Sequence, residues 1–231
     1  MKSAVLLFLD QPLPVLSHLA PGQSPDPLAL ALVRDTLRNL ADVEADIFVF
    51  LAPDADKEQA KAILDPAGKG GFKLANALGR NLQAQQRNAF RLVFARGYGR
   101  AMLVSNAMPD LPGYTLREAM DSLGWKCCCL GPVPGPEETG GTPDQIYALG
   151  FDFEGYTTDA LDMVDRSRPN VFGRLETLLL FYERKVKVLA PYAHLTSLDG
   201  PDGAKLLAER CKDTRFALLP SVKLATERVG S

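Results

Sequence analysis

The side chains that could act as acids, bases or nucleophiles are few in this chain, and they are widely separated. The two histidines are His18 and His194, and no serine lies in the G-x-S-x-G pattern of a nucleophile elbow. Closely spaced carboxylates include the pairs Asp152/Glu154 and Asp199/Asp202. Such spacings suit general acid–base catalysis, but they equally suit helix capping or an exposed turn. These residues alone therefore predict no particular reaction.

A ligand site is better indicated by the segment Arg100–Gly113, which reads RAMLVSNAMPDLPG. Its first part, Ala101–Val104, predicts a short buried strand, and Ser105–Gly113 predicts the loop that follows the strand. In an open α/β sheet, ligands bind in the crevice outside the carboxyl ends of the strands. The sequence thus indicates where a site lies. Neither a G-x-G-x-x-G fingerprint nor a phosphate-binding P-loop pattern accompanies it.

Composition and charge exclude several classes of partner. The chain has 231 residues, of which 46% are hydrophobic and 23% charged, as in ordinary globular domains. The net charge of -2 and a pI near 5.8 give no electrostatic reason to expect nucleic acid or an anionic membrane as a partner. The apolar run Ala4–Leu9 is too short to span a bilayer. Because Lys2 is the one basic residue before this run and Asp10 follows it, the run does not resemble a signal peptide.

The four cysteines predict buried packing and not metal binding. Cys127, Cys128 and Cys129 are consecutive, Cys211 is distant, and neither C-x-x-C spacing nor a nearby histidine indicates zinc. We interpret the consecutive cysteines as small apolar residues of a buried strand. This use of cysteine fits a reducing compartment, so we expect a cytoplasmic protein.

The alternation of apolar runs and helical patterns predicts an α/β fold with a mostly parallel sheet covered on both faces. Strands are predicted at 2–9, 46–51, 101–104, 126–130, 146–151 and 186–189. Helices are predicted at 28–40, 82–96, 115–123, 172–182 and 203–211. Asn81 is the expected N-cap of the second helix, and Gly97 the residue that ends it. Neither a helix nor a strand is predicted for residues 56–78, which are charged and then glycine-rich.

Two long loops and the C-terminal segment leave alternatives open. The loop after the first strand carries five prolines across Pro12–Pro27, and Gly131–Pro143 is a second long loop at a strand end. The first of these loops is either a ligand-binding loop or a stiff surface connection. We expect residues 1–211 to form one domain. Residues 212–231 form a tail, an added strand or an arm, that packs on this domain or on a neighbouring subunit of a homodimer.

The order of several segments resembles a bacterial family of glycosyltransferases of the GT-A type. These segments are FARGYGRAMLVSNAMPDLP at 94–112, REAMDSL at 117–123, LGP at 130–132, YALGF at 147–151 and LTSLDGPD at 195–202. The family is related to the nucleotide-diphospho-sugar transferases and, more distantly, to sugar and molybdopterin-guanine nucleotidylyltransferases. The resemblance runs from Met1 to about Leu207, and its most specific parts are Phe94–Gly97, Pro109–Pro112 and Leu130–Pro132.

The resemblance implies a three-layer α/β/α sandwich in which a nucleoside diphosphate sugar lies over the strand ends. It also implies Mg²⁺ or Mn²⁺ between the diphosphate and an aspartate that follows the central strand, because these cations prefer carboxylate oxygens. The nucleotide-binding positions that it implies here are Asp10, His18, Asn81, Gln85, Asn106 and Ala107.

Several charged positions of the family carry neutral residues in this chain. The metal-binding aspartate corresponds to Ala107, whose methyl group cannot bind a metal, so we assign no metal ligand and expect Ala107 at the mouth of the nucleotide pocket. Two functions remain open. One is glycosyl transfer from a nucleoside diphosphate sugar to an unidentified acceptor, with Asp110 and Asp144 as the catalytic candidates. The other is a catalytically inactive binding or regulatory protein with the same fold.

Overall fold

A computed structural model describes residues 1–17, 23–66, 71–135, 142–166, 168–193 and 201–230. Seven strands of these residues form one sheet with the order β3-β2-β1-β4-β6-β5-β7. The strands are β1 Ser3–Phe8, β2 Asp46–Leu51, β3 Phe72–Asn76, β4 Arg100–Val104, β5 Cys127–Val133, β6 Gln145–Asp152 and β7 Lys185–Val188. All neighbouring strands are parallel except that β6 is antiparallel to both β4 and β5. The predicted α/β fold with a mostly parallel sheet is confirmed.

Helices cover both faces of the sheet, which makes the fold a three-layer sandwich. The helices are α1 Pro27–Leu40, α2 Lys57–Leu64, α3 Leu82–Ala95, α4 Gly113–Asp121, α5 Thr158–Asp162, α6 Val171–Phe181, α7 Pro201–Cys211 and α8 Pro220–Gly230. Alternate residues of β1 enter different cores. Val5 and Leu7 pack in the cluster that contains α1, α2 and α4, whereas Leu6 and Phe8 pack in the cluster of α3, α5 and α6.

A third apolar cluster lies beside the strand ends and joins the C-terminal helices to α1. Leu28 and Leu32 of α1 share it with Leu207 of α7 and Val222 of α8. Helix α8 is further held by its Ser221 amide, which donates to the carboxylate of Asp35 at 2.9 Å. Residues 220–230 therefore form a helix, where the sequence suggested an added strand or an arm.

Two elements with little apolar signal, α2 and β3, were not predicted from the sequence. Helix α2 buries only Ala60 and Leu64, and β3 is an edge strand whose residues are half-buried or exposed. Residues 56–78 thus contain a helix and a strand, contrary to expectation. By contrast, β2 has the predicted bounds, and Asn81 caps α3 by accepting a hydrogen bond from the amide of Ala84 at 2.9 Å.

The described cysteines are free thiols, and two of them are fully buried in β5 as expected. Burial raises the pKa of Cys128 and of Cys129 to about 12. Among the described residues, no helix has both the length and the apolar character needed to cross a membrane.

Candidate functional site

A cleft of about 340 Å³ opens where β1 and β4 end and β6 begins. These ends meet at one edge of the sheet because β6 runs antiparallel to β4. Phe8 and Leu103 line its apolar part, and the first turns of α3 line one side. The polar side chains among its described lining residues are Gln11, Gln86, Ser105, Gln145, Tyr147 and Arg166. The volume lies within the range of small-molecule sites, roughly 300–1,000 Å³.

Two of these polar side chains have buried atoms without a hydrogen-bond partner. They are Oε1 of Gln86 and Nη2 of Arg166, which bond to none of the described residues. Gln86 is only 4% exposed. A buried polar atom without a partner costs free energy, about 1–3 kcal/mol in mutational data, so most such atoms in folded proteins are paired. An unpaired acceptor and an unpaired donor in one cleft are the pattern that a polar ligand would complete.

Arg166 brings the only charge among the described residues that line the cleft. It lies between α5 and α6, directly after Asp165. The carboxylate of Asp165 accepts from Gln83 at 3.5 Å, and its carbonyl accepts from Arg174 at 3.3 Å. Burial lowers the pKa of Arg166 to about 10. The guanidinium therefore stays protonated at neutral pH, and no described carboxylate forms a salt bridge with it.

Tyr147 forms one wall of the cleft, and its position depends on Gly131. The Tyr147 hydroxyl donates to the carbonyl of Ala190 at 3.0 Å. A Cβ atom on Gly131 would lie 2.6–2.8 Å from carbon atoms of the Tyr147 ring, closer than van der Waals contact allows. Glycine at this position of the Leu130–Pro132 motif thus permits the ring to lie flat on β5.

Asn106 and Asp10 hold the loops around the cleft and do not face into it. The fully buried Asn106 amide donates to the carbonyls of Leu9 and Leu13 at 2.6 and 2.7 Å, and its oxygen accepts from the amide of Leu13 at 3.2 Å. One oxygen of Asp10 accepts from three successive amides, Val15, Leu16 and Ser17, at 2.7–3.0 Å. Both side chains are thus committed to the backbone of the loop that follows β1.

Ala107 is not at the mouth of the cleft, which corrects the expectation drawn from the family resemblance. Its relative exposure is 0%, and it belongs to the third apolar cluster, with Leu13, Leu32 and Leu207. The side chain of the preceding residue, Asn106, points to the β1 loop, so the chain turns away from the cleft directly after Ser105. Position 107 therefore offers no ligand contact in this fold.

Asp110, expected as a catalytic residue, is bound by other side chains of the chain. Its carboxylate forms a two-point contact with Arg210, from Nη2 and Nε at 2.7 Å each, and accepts a hydrogen bond from the Tyr192 hydroxyl. Burial opposes the charge on Arg210, but Tyr192 and Asp110 outweigh it and raise the pKa of the guanidinium. Asp110 neither lines the cleft nor caps α4, whose N-cap residue is Pro112.

The remaining predicted residues that the structure describes do not line the cleft. Asn81 caps α3, and the Gln85 amide donates to the carbonyl of Gly79 at 3.3 Å. The carboxylate of Asp144 accepts from the amide of Asn170 and, at 3.3 Å, from the side chain of Gln145. His18 lies outside the described residues.

The residues that line the cleft are often the direct neighbours of the predicted ones. Gln11, Ser105 and Gln145 follow or precede Asp10, Asn106 and Asp144 in sequence, and Gln86 follows Gln85. One signal was available: Gln86 occupies a core position of the α3 apolar stripe, between Leu82 and Ala89–Phe90. Arg166 carries no comparable signal, because it lies in a connection without periodicity.

The site does not fit a divalent cation. Among the described residues, no group of three histidine, cysteine, aspartate or glutamate side chains could hold a metal ion. The carboxylate of Asp110, in the loop after β4, already binds Arg210. The cleft itself presents amides, two hydroxyls and a guanidinium. Mg²⁺ and Mn²⁺ need carboxylate oxygens that these residues do not supply.

Sequence comparison gives a match to one bacterial family over part of the chain. The family is described as "Uncharacterized protein conserved in bacteria (DUF2064)", and its profile matches residues 36–141. This segment contains β2, β3, β4 and the loop after β4. No curated protein matches the chain.

Several solved structures share the fold. A protein from Desulfovibrio desulfuricans G20, assigned to the nucleotide-diphospho-sugar transferases, superposes with a TM-score of 0.79 at 22% identity, over 100% of this chain and 96% of its own. The 4-diphosphocytidyl-2C-methyl-D-erythritol synthase of Anaerococcus prevotii DSM 20548 has a TM-score of 0.58 at 13% identity, over 86% and 92%. A nucleotidyl transferase from Methanothermobacter thermautotroptrophicus gives 0.52 at 15%, over 85% and 89%. At these identities, the similarity establishes the nucleotide-diphospho-sugar transferase-like fold.

Proposed function

We propose that the cleft between β1, β4 and β6 binds a nucleoside diphosphate sugar, and that the chain is a glycosyltransferase with altered site chemistry. The observation that carries this proposal is the pair of buried, unpartnered atoms on Gln86 and Arg166 in one cleft at the strand ends. A guanidinium suits phosphate oxygens, and an amide oxygen suits an N–H or O–H donor on a base or sugar. The shared fold of an assigned nucleotide-diphospho-sugar transferase supports the same ligand class.

The positive charge of Arg166 suits a transfer step in which a phosphate oxygen leaves with the electron pair. The bond between the anomeric carbon and the phosphate oxygen breaks, the nucleoside diphosphate leaves with the electron pair, and an acceptor oxygen forms the new bond to carbon. Arg166 would stabilise the charge that develops on the leaving phosphate oxygen. Asp144, next to Gln145 of the cleft, remains our candidate for receiving the acceptor's proton, whereas Asp110 is committed to Arg210.

Binding is tested by titrating the protein with UDP-, GDP- and ADP-sugars, using calorimetry and thermal unfolding. We expect one base series to bind and to stabilise the fold, by about 2.7 kcal/mol at a ligand concentration of 100 Kd. If none of these sugars gives heat or a thermal shift, with Mg²⁺, with Mn²⁺ or without either, the proposal is wrong.

Gln86 and Gln85 offer a matched pair of variants for the same experiment. Gln86→Leu replaces a buried, unpaired acceptor by an apolar group, so it should stabilise the free protein while weakening ligand binding. Gln85→Leu changes the adjacent side chain, which bonds the Gly79 carbonyl outside the cleft, and should leave affinity unchanged. Equal effects of the two variants on affinity would contradict the assignment of Gln86 to the site.

A second candidate function is binding without transfer. It is favoured by the absence of a carboxylate among the described residues that line the cleft. Release of nucleoside diphosphate from the bound sugar, measured by chromatography, separates the two. Turnover that is lost in Asp144→Asn supports transfer, whereas binding without turnover in the presence of a panel of acceptors supports a regulatory or carrier role.

A further inference from the structure

We propose that Arg166 supplies the positive charge that faces the ligand's phosphates, and that the cleft binds a diphosphate without a divalent cation. This inference rests on the proposed function and names the electrostatic basis of binding at that same site. It reverses what the family resemblance implies, in which a metal ion bridges the diphosphate and an aspartate.

Two carboxylates near the strand ends, those of Asp110 and Asp10, are engaged elsewhere among the described residues. Asp110 has its carboxylate bound by Arg210 at two points, and the neighbouring position 107 is an alanine inside an apolar cluster. Asp10 uses one oxygen for three loop amides. A bound Mg²⁺ would therefore have to leave its water shell for amide and hydroxyl oxygens, which it does reluctantly.

Arg166 meets the requirements of an anion-binding residue. Its Nη2 is buried and unpartnered, it lines the cleft, and none of the described lining residues carries a negative charge to neutralise it. A guanidinium presents its N–H groups as a planar fork that can bind two phosphate oxygens at once. The same charge would repel a divalent cation placed beside it, since like charges interact strongly in a site of low dielectric constant.

Gln86 adds selectivity for the kind of anion. Its buried Oε1 can pair only with a group that donates a hydrogen bond. An inorganic anion that binds Arg166 would therefore leave this oxygen unpaired. A nucleotide or sugar carries N–H and O–H groups beside its phosphates. The cleft should therefore prefer a nucleoside diphosphate over inorganic pyrophosphate, although both carry the diphosphate group.

The test is calorimetric titration of the protein with UDP, GDP, ADP and pyrophosphate, in EDTA and in MgCl₂. We expect a nucleoside diphosphate to bind in EDTA, with an affinity at least as high as in MgCl₂, where Mg²⁺ competes with the protein for the diphosphate. Arg166→Gln should weaken it by about 10- to 100-fold, the range for a hydrogen bond to a charged group. Arg166→Lys should retain part of the affinity, because it keeps the charge and loses the fork.

Arg168→Gln is the matched control. Arg168 lies two residues away, its side chain is 74% exposed, and it pairs with Asp165 at 3.3 Å outside the cleft. This variant should bind as the unchanged protein does. Circular dichroism and the unfolding temperature verify that each variant is folded. If Arg166→Gln does not fold, the comparison of EDTA with MgCl₂ on the unchanged protein still tests whether binding requires a divalent cation.

The outcomes separate the two proposals. Binding that requires Mg²⁺, or binding that Arg166→Gln leaves intact, overturns the metal-free inference while the proposed ligand class stands. Equal or tighter binding of pyrophosphate alone overturns the role given to Gln86. If neither the nucleoside diphosphates nor their sugars bind in either buffer, the proposed function fails and this inference fails with it.

Discussion

Restoring the aspartate that the family resemblance implies at position 107 should damage the fold and should not create a metal site. Ala107 is fully buried in the cluster that joins α1, α7 and α8, with Leu32 and Leu207 among its members. The Ala107→Asp variant would place a carboxylate there, where the side chains of the cluster are apolar apart from the thiol of Cys211, a weak hydrogen-bond donor. The charged form would then be forced out of water without a partner.

The size of the effect follows from this burial. An uncompensated buried charge costs about 3–5 kcal/mol. Total stabilities of natural domains lie near 5–15 kcal/mol, so the variant would lose a large fraction of its free energy of unfolding. The carboxyl group can reduce the cost by staying protonated, which raises its pKa above its unfolded value. Its destabilising effect should therefore be smallest below about pH 4 and grow as the pH rises toward 7.

Urea denaturation between pH 4 and pH 8 measures this, with Ala107→Asn as the control of similar shape and no charge. The difference in unfolding free energy between the two variants should widen with pH. Mn²⁺ binding, followed by electron paramagnetic resonance, should be the same for Ala107→Asp and the unchanged protein. An aspartate variant that keeps its stability and gains a Mn²⁺ site would refute the placement of this residue in the core.

Three further predictions concern other contacts around the cleft. Gly131→Ala should cost about 1–3 kcal/mol, the range for overpacking, and should weaken ligand binding, because the added methyl displaces the Tyr147 ring; urea titration and calorimetry measure the two effects. Arg210→Met should cost about 3–5 kcal/mol in urea titration, because it leaves Asp110 buried without its cation. The pKa of Cys129 is raised from 9.0 to about 12, so its protonated thiol contributes stability that is fully present below pH 9. This contribution is lost as the pH rises from 9 to 12. Cys129→Ala should therefore lose less stability on going from pH 8 to pH 10, by about 1.4 kcal/mol.

Each of these variants has a control in the same part of the chain. Gly124→Ala adds a methyl group where no atom lies within 4 Å, and it should be nearly neutral. Lys212→Met removes an exposed charge two residues after Arg210 and should change stability little. Cys127→Ala, which alters a half-buried thiol of the same strand, is the matched variant for Cys129→Ala. If a control behaves like its partner variant, the physical reason given for that partner is wrong.

The sequence predicted elements where the apolar signal is local and strong. Strand β2 is a run of six residues, Asp46–Leu51, of which five are buried, and its bounds were predicted without error. Helix α3 was marked at both ends, by Asn81 as cap and by Gly97, whose φ of +81° suits glycine. Edge strand β3 and the short helix α2 bury few residues, so their patterns differ little from those of a charged loop.

The orientation of the site residues could not be predicted in the same way, because distant partners decide it. Asn106 turns toward Leu13, 93 residues earlier in the chain, and Asp110 turns toward Arg210, 100 residues later. Neither partner has a recognisable spacing to the loop that it binds. A polar residue at a strand end is thus easy to find in a sequence. Whether its side chain faces a ligand site or bonds to another part of the protein depends on the tertiary fold.

Arg210 and Arg166, both near the strand ends, illustrate how the presence or absence of a protein partner bears on function. Arg210 and Asp110 neutralise each other, and their contact joins α7 to the loop after β4. Neither group is therefore available for a reaction. Arg166 has been left without such a partner among the described residues, in a cleft that also leaves an acceptor of Gln86 unpaired. Unpaired buried groups lower the stability of the free protein, and a ligand that completes them recovers that free energy on binding. The stability and the affinity of this protein should therefore change in opposite directions when Gln86 is made apolar, which a purely structural role of the cleft would not produce.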